Sequence, residues 1–428
     1  MSSFAKPYST TYHSSLSLHK LVVVMLMITA VFGYVISYGR LYAFHLVLAV
    51  YWMLVVVAFI SIRKQAVKAM TVPILFFVFL CISLLWTPNI KNGFYFVFYF
   101  FCGYTIIFAM VNYVTDMGKL NLIFKTLAIM FSLNFFIGLL ETTGYFRLPA
   151  SPYYGLDHAR PSGFNSNLNN FGFVFIAVFP FIFIHPRRSV KFLGALLALW
   201  FTIKLESKGF FLGLVIFFGL FFLLRVKYKS TWRWVGLGLV GVIVLAMFLA
   251  LGTTKINFNN RAFTAFDQIE RAVNLAKSYD ISAQDSTSIR TAMYLLGIQE
   301  LSKTYGTGLG AAGIGSKLAS ETDFFGEDKE MFSFHNFFLE MMVDMGVIPF
   351  FVVMVAYIKL ALANLKAAKR IKDKNLFFYN KASGLALLTI IPASISPSSI
   401  IYVFTFWLVI GFAIATYLVT RYQIRHGN

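Results

Sequence analysis

The stretch STSIRTAMYLLGIQELSKTYGTGLGAAGIG (Ser286–Gly315), followed by SFHNFFLEMMVDMG (Ser333–Gly346), belongs to the only long polar segment, Thr253–His335, of an otherwise almost wholly apolar chain. Its reading decides the fold. Asp285 or Ser286 can cap a helix that carries Arg290 in its first turn and runs to Tyr305, where Gly306 ends it. A glycine-rich turn follows, and His335 then stands at the mouth of a renewed hydrophobic run. If the polar segment lies at one face of a bilayer, the rest of the chain is the membrane scaffold that holds it there.

The composition supports that arrangement. The 428 residues are 59% hydrophobic and 18% aromatic, with only 13% charged. Repeated apolar runs of roughly 18 residues or more make this an all-α polytopic membrane protein. Spans are expected at about 21–38, 41–62, 70–86, 93–112, 122–140, 171–184, 192–203, 209–224, 235–251, 337–358, 382–394 and 400–419, giving about 12 transmembrane helices with one large extracytoplasmic helical loop. The runs at 192–203 and 382–394 are short for a full crossing of ~20 residues, so each is tilted, re-entrant or extended by its neighbours. The domain order is then 1–252 with nine helices, the loop domain 253–335, and 336–428 with three helices.

A net charge of +20 raises the question of nucleic acid. With both termini in the cytoplasm, 23 of the 37 basic residues and only two acids, Asp116 and Asp373, fall on the inner side; 14 bases and 15 acids fall outside. That is the positive-inside pattern of a polytopic membrane protein, and it leaves no basic footprint for nucleic acid. Within the spans, His45 and Asn134 are lone polar residues of the kind that bond to a neighbouring helix, and no role is assigned to them.

Outside, Glu141–Asn170 gathers Arg147, Asp157, His158 and Arg160 before a run of asparagines. Two readings stand: a turn-rich connector whose asparagines cap the next helix, or a polar lining with Arg160 aimed at an anion and Asn165 and Asn167 at hydroxyls. Lys204, Glu206 and Lys208 sit in a tight turn; interfacial lysines snorkel, yet Lys208 opens a helix, and helix N-termini favour anions. Asn257–Ala276 has the apolar spacing of an amphipathic surface helix. Gly308–Gly313 fits GxGxxG, but with no preceding strand it reads as a hinge or an anion-binding nest, not a dinucleotide site. Glu340 and Asp344 share a helix face. Asp344 lies about 10 Å into the membrane if the span starts at Phe337, taking ~1.5 Å per residue, or in an outer helix if it starts near Gly346.

Four pieces in order resemble the superfamily of O-antigen ligases and Wzy-type polysaccharide polymerases: RPSGFNSNLNNFG (Arg160–Gly172), SKGFFLGL (Ser207–Leu214), SIRTAMYLLGI (Ser288–Ile298) with GTGLGAAG, and HNFFLEMMVDMGVIP (His335–Pro349). The resemblance implies a glycosyltransferase without metal or other cofactor, acting on undecaprenyl-diphosphate-linked glycan at the outer face of the plasma membrane. It implies that Arg290 and the basic residue of the SKG turn bind the diphosphate and that His335 serves the reacting hydroxyl or the phosphate; Arg160 is expected as a third cation, and Asn165, Asn167 and Asn336 as the amides that meet sugar. Besides the lipid-linked glycan and membrane lipids, flippase and chain-length regulator proteins are partners that such a system admits. Two departures matter. Lys208 replaces the usual arginine, offering a point charge in place of a bidentate fork, and Val347-Ile348-Pro349 after the HN motif departs from the ligase pattern. Polymerisation is therefore the expected activity, with ligation to lipid A core or another acceptor as the alternative. A lipid-linked oligosaccharide transporter would show internal repeats and midplane polar groups, which this chain lacks.

Overall fold

The computed structural model describes residues 10–38, 41–149, 151, 154, 160–205, 207–225, 256–258, 261–263, 286–320, 334–395, 397 and 399–426. Eleven of the twelve expected spans fall on helices; the twelfth, 235–251, lies outside the described residues. Five helices are long and apolar enough to cross a membrane: α5 (Ile90–Tyr113), α6 (Met117–Glu141), α13 (Val347–Arg370), α14 (Lys374–Ala393) and α15 (Phe404–His426). Shorter apolar helices join them: α1 (Thr10–Phe32), α2 (Ala43–Val56), α4 (Thr71–Ile82), α7 (Leu168–Phe183) and α9 (Lys208–Arg225). The two short runs are extended by their polar neighbours, into α8 (Arg188–Leu205) and α14. This is an all-α membrane bundle.

Its centre is α14, packed against α7, α9, α13 and α15, with α15 also against α5. Phenylalanine fills the interior: Phe171, Phe175, Phe179, Phe201 and Phe217 are fully buried and mostly meet edge to face, the preferred geometry of ring quadrupoles. By contrast α13 exposes Ile348, Phe351, Val352, Val355 and Leu362. Such an apolar face suits lipid, not water.

At one end of the bundle, helix termini are closed by short polar residues. Asp116 caps α6 through the Lys119 N–H at 3.0 Å, and Asp373 caps α14 through Asn375 and Leu376. Those are the two acids assigned to the cytoplasmic side, and both are N-caps. Arg63 donates to the carbonyls of Val111, Asn112 and Val114. A cation there satisfies the unpaired acceptors at the C-terminus of α5 and complements its dipole.

Two expectations need correction. Ile256–Phe258 (β3) and Arg261–Phe263 (β4) pair as antiparallel strands, so Asn257–Ala276 does not begin as an amphipathic helix; cross-strand pairing of alternate aromatic and aliphatic residues wins there. The run 337–358 is not one helix but two, α12 (Phe337–Met345) and α13, broken at Gly346 with φ +87°. Orientation is checked by cysteine labelling in a background lacking Cys81 and Cys102. A cysteine at the exposed Tyr145 is expected to react with a membrane-impermeant maleimide in intact cells, and one at Lys372 only after permeabilisation; the reverse would invert the topology.

Candidate active site

The polar segment forms helix α10 (Ser286–Lys303), ended as expected: Tyr305 and Gly306 both have positive φ, and the Gly306 N–H bonds back to Leu301 O at 2.9 Å. Its stripe Met293, Gly297 and Leu301 recurs every four residues and faces a small core of its own with Phe334, Val343, Ile314 and Leu318. Gly297 is required here because a Cβ would collide with the Phe334 ring. On the adjacent stripe, Arg290 and Tyr294 are one turn apart. The Tyr294 hydroxyl donates to the His335 carbonyl at 3.1 Å and interacts with the Asn336 side chain, while its ring lies against Phe334.

His335 is thus fixed by α10, and it sits at φ +53°. A β-substituted residue in the left-handed region costs of order 1 kcal/mol and persists only where its surroundings impose it. Asn336 caps α12, accepting from the Leu339 N–H at 3.2 Å. Arg290 is half-buried, and burial pulls its guanidinium below the ordinary value, opposed by Tyr294. It makes no ion pair among the described residues; Glu300, one candidate partner, binds Lys303 at 2.5 Å, and Asp285 lies outside them.

The glycine-rich turn is not a free hinge. Leu309 N and Gly310 N donate to Val343 O and Asp344 O, Val347 N donates to Gly306 O, and Thr87 and Ser83 bond Ala311 from the α4–α5 connection. Gly308 and Gly346 face each other backbone to backbone, both near φ +88°; side chains would force them apart. The acceptor in this turn is the protein's own: Asp344 Oδ1 accepts from Ile314 N at 2.7 Å, at the start of α11 (Gly313–Ser320). Asp344 and Glu340 are 0% and 5% exposed, so the break at Gly346 does not leave them in water. Burial, opposed by Ser399, pushes the Glu340 carboxyl up to about 7, and burial together with Glu340 raises Asp344 well above its ordinary range.

On the α7 side, the Arg160 loop is clamped by Glu141, a fully buried residue to which the sequence alone assigned no function. Its carboxylate accepts from Ser162 N at 2.6 Å and Gly163 N at 2.7 Å, and Asn134 Oδ1 accepts from Phe164 N at 2.7 Å. The only local sign was an acid closing an apolar helix. Asn167 caps α7 through Asn170 N, and Asn165 donates to Ser162 O, as the connector reading expects. Arg160 is exposed, its carbonyl taken by Arg147. Lys208 opens α9, packed onto α7 where Phe210 meets Gly172, and Lys204 lies over the Trp200 ring.

The described structure therefore joins Arg290 to His335 through Tyr294, and the Arg160 loop to the Lys208 helix end through α7. The turn after α14 reaches both: Ala393 lies against Gly213 of α9, and Ser399 interacts with Glu340. Residues 193–354 match the family model described as O-Antigen ligase. The chain carries an O-antigen ligase family domain. That domain takes in Lys208, Arg290, His335 and Asn336 and leaves Arg160, Asn165 and Asn167 outside it. No curated protein sequence matches the chain. The O-antigen ligase domain marks an O-antigen ligase or polymerase-type membrane enzyme of polysaccharide biosynthesis, for which lipid-linked glycans are the implied substrates.

The buried acids of this domain give a pH signature. Glu340 has a folded value near 7 against an ordinary 4.5, so the folded protein holds its proton more tightly than the unfolded chain does, and stability falls as pH rises through that window. Glu340→Gln, which cannot ionise, is expected to flatten the fall in melting temperature of the detergent-solubilised protein between pH 4.5 and 7. An unchanged pH profile would mean that Glu340 is not the group titrating.

Proposed function

We propose that the protein transfers a glycan from undecaprenyl diphosphate to a second lipid-linked repeat unit at the outer face of the plasma membrane, and so polymerises the repeats. The observation that carries this reading is a half-buried arginine without an ionic partner among the described residues, one helical turn from the tyrosine that holds a strained histidine in place. A buried cation needs an anion, and guanidinium suits phosphate in a bidentate fork.

The chemistry asks little else of the protein. An acceptor hydroxyl oxygen attacks the anomeric carbon, the bond from that carbon to the diphosphate oxygen breaks, and configuration inverts because a single displacement needs no covalent intermediate. His335 takes the hydroxyl proton, a role suited to imidazole near neutral pH. The diphosphate leaves carrying the electron pair, its charge neutralised by Arg290, with Lys208 at the start of α9 and Arg160 as further cations.

Ligation is supported by the family description itself; polymerisation is supported by the Pro349 departure and by a Phe-, Asn- and Lys-rich composition that fits a low-GC bacterium without a lipid A acceptor. Cells carrying His335→Ala distinguish the two. Accumulation of lipid-linked single repeats is expected; full-length polymer left on undecaprenyl diphosphate would mean that polymerisation is intact and that the lost step is ligation.

A further inference from the structure

A cavity of about 630 Å³ opens at the loop end of the bundle, beside α11. One side of α11, Ile314 and Leu318, packs into the α10–α12 core, whereas Ser316 lines the cavity. The other walls come from the start of α2 (Tyr42, His45), from α5 (Asn92, Tyr99) and from the turn before α15 (Tyr402). The volume is that of a small-molecule site, about 300–1,000 Å³.

Its chemistry is that of a hydroxylated, uncharged ligand. No lining residue is Lys, Arg, Asp or Glu, so a phosphate there would be desolvated without a counter-charge. Aromatic rings supply most of the wall: Tyr99 and Tyr402 meet edge to face at 4.5 Å, and Tyr42 stacks on His45 at 5.0 Å. Such rings take the C–H face of a ligand while their hydroxyls take its polar edge. Asn92 donates to Ser316 Oγ at 3.2 Å, leaving the amide oxygen as an acceptor and the serine proton as a donor.

His45 is the most telling member. Its Nδ1 accepts from the Tyr42 N–H at 3.2 Å in a capping-box arrangement, which places the proton of the neutral ring on Nε2. The side chain is 8% exposed, and Nε2 has no hydrogen-bond partner among the described residues. A buried donor of this kind costs about 1–3 kcal/mol if left unmade.

We propose that this cavity is a binding subsite for an uncharged sugar ring, with Asn92 and Ser316 on its hydroxyls and the tyrosines and the His45 ring on its face. Its assignment to the acceptor glycan rests on the glycosyltransfer reading; sugar binding itself does not. α11 then links the two places, with the sugar on one face and the Arg290–His335 core on the other.

Saturation-transfer difference NMR on the full chain tests this, in lauryldimethylamine oxide because its headgroup carries no sugar to compete. The probes are glucose, galactose, N-acetylglucosamine and N-acetylgalactosamine, with inorganic pyrophosphate as the charged comparison. Transfer to at least one neutral sugar is expected, unaffected by pyrophosphate and reduced at least fivefold by His45→Phe and separately by Ser316→Phe. The two changes sit on different elements, and thermal unfolding identifies a variant that has failed to fold. The proposal is overturned if no neutral sugar shows transfer, if transfer survives in both folded variants, or if pyrophosphate displaces the sugar. No donor turnover enters the measurement, so its failure would leave the glycosyl-transfer reading standing.

Discussion

A buried carboxylate gripping backbone N–H groups holds each of the two functional loops at the head of the bundle. Glu141 takes Ser162 and Gly163, and Asp344 takes Ile314. Buried non-helical backbone is tolerated only where its polar groups are paired, and these two acids meet that constraint for loops that no sheet or continuous helix supports. Arg160 directly precedes the first clamp. The second fixes the turn between α10 and α12, on whose flanks Arg290 and His335 stand. Cost and benefit differ between the clamps: Asp344 shares its buried site with Glu340, and two neighbouring carboxyls cannot both ionise there cheaply.

Much of this was legible from sequence because the deciding signals are local. Apolar run length marked the spans, Asn167 and Gly306 marked helix ends, and the charge count gave an expected orientation. What escaped was set by partners distant in the chain. The apolar pattern runs unbroken through Met345–Gly346–Val347, and the break there depends on Gly308, whose backbone occupies the space a continuous helix would need. His45 and Asn134 read as ordinary interhelical polar residues; Asn134 does bond across, to Phe164, but His45 lines a cavity completed by three other segments. Glu141 looked like the end of a helix, and its 21-residue reach to Ser162 has no sequence signature.

The site divides by charge. Arg290, Lys208 and Arg160 are carried by separate segments suited to an anion, while the cavity across α11 carries no charge. A lipid-linked glycan has the same division, with the diphosphate at one end of each sugar chain and neutral rings beyond it, so a donor and an acceptor can be held by different physics in one enzyme. Lys208 in place of arginine keeps the charge and gives up the fork, so the proposed reading looks to Arg290 for bidentate contact.

The central claim is that Arg290 neutralises a lipid diphosphate while a neighbouring hydroxyl displaces it. Purified protein mixed with an undecaprenyl-diphosphate-linked oligosaccharide in detergent, without added divalent metal, tests it through the release of undecaprenyl diphosphate and growth of the glycan. The account predicts chain growth by the wild type and a loss of at least a hundredfold with Arg290→Lys, equivalent to about 2.7 kcal/mol of transition-state stabilisation at ~1.4 kcal/mol per tenfold. Chain growth by Arg290→Lys at the wild-type rate would contradict it.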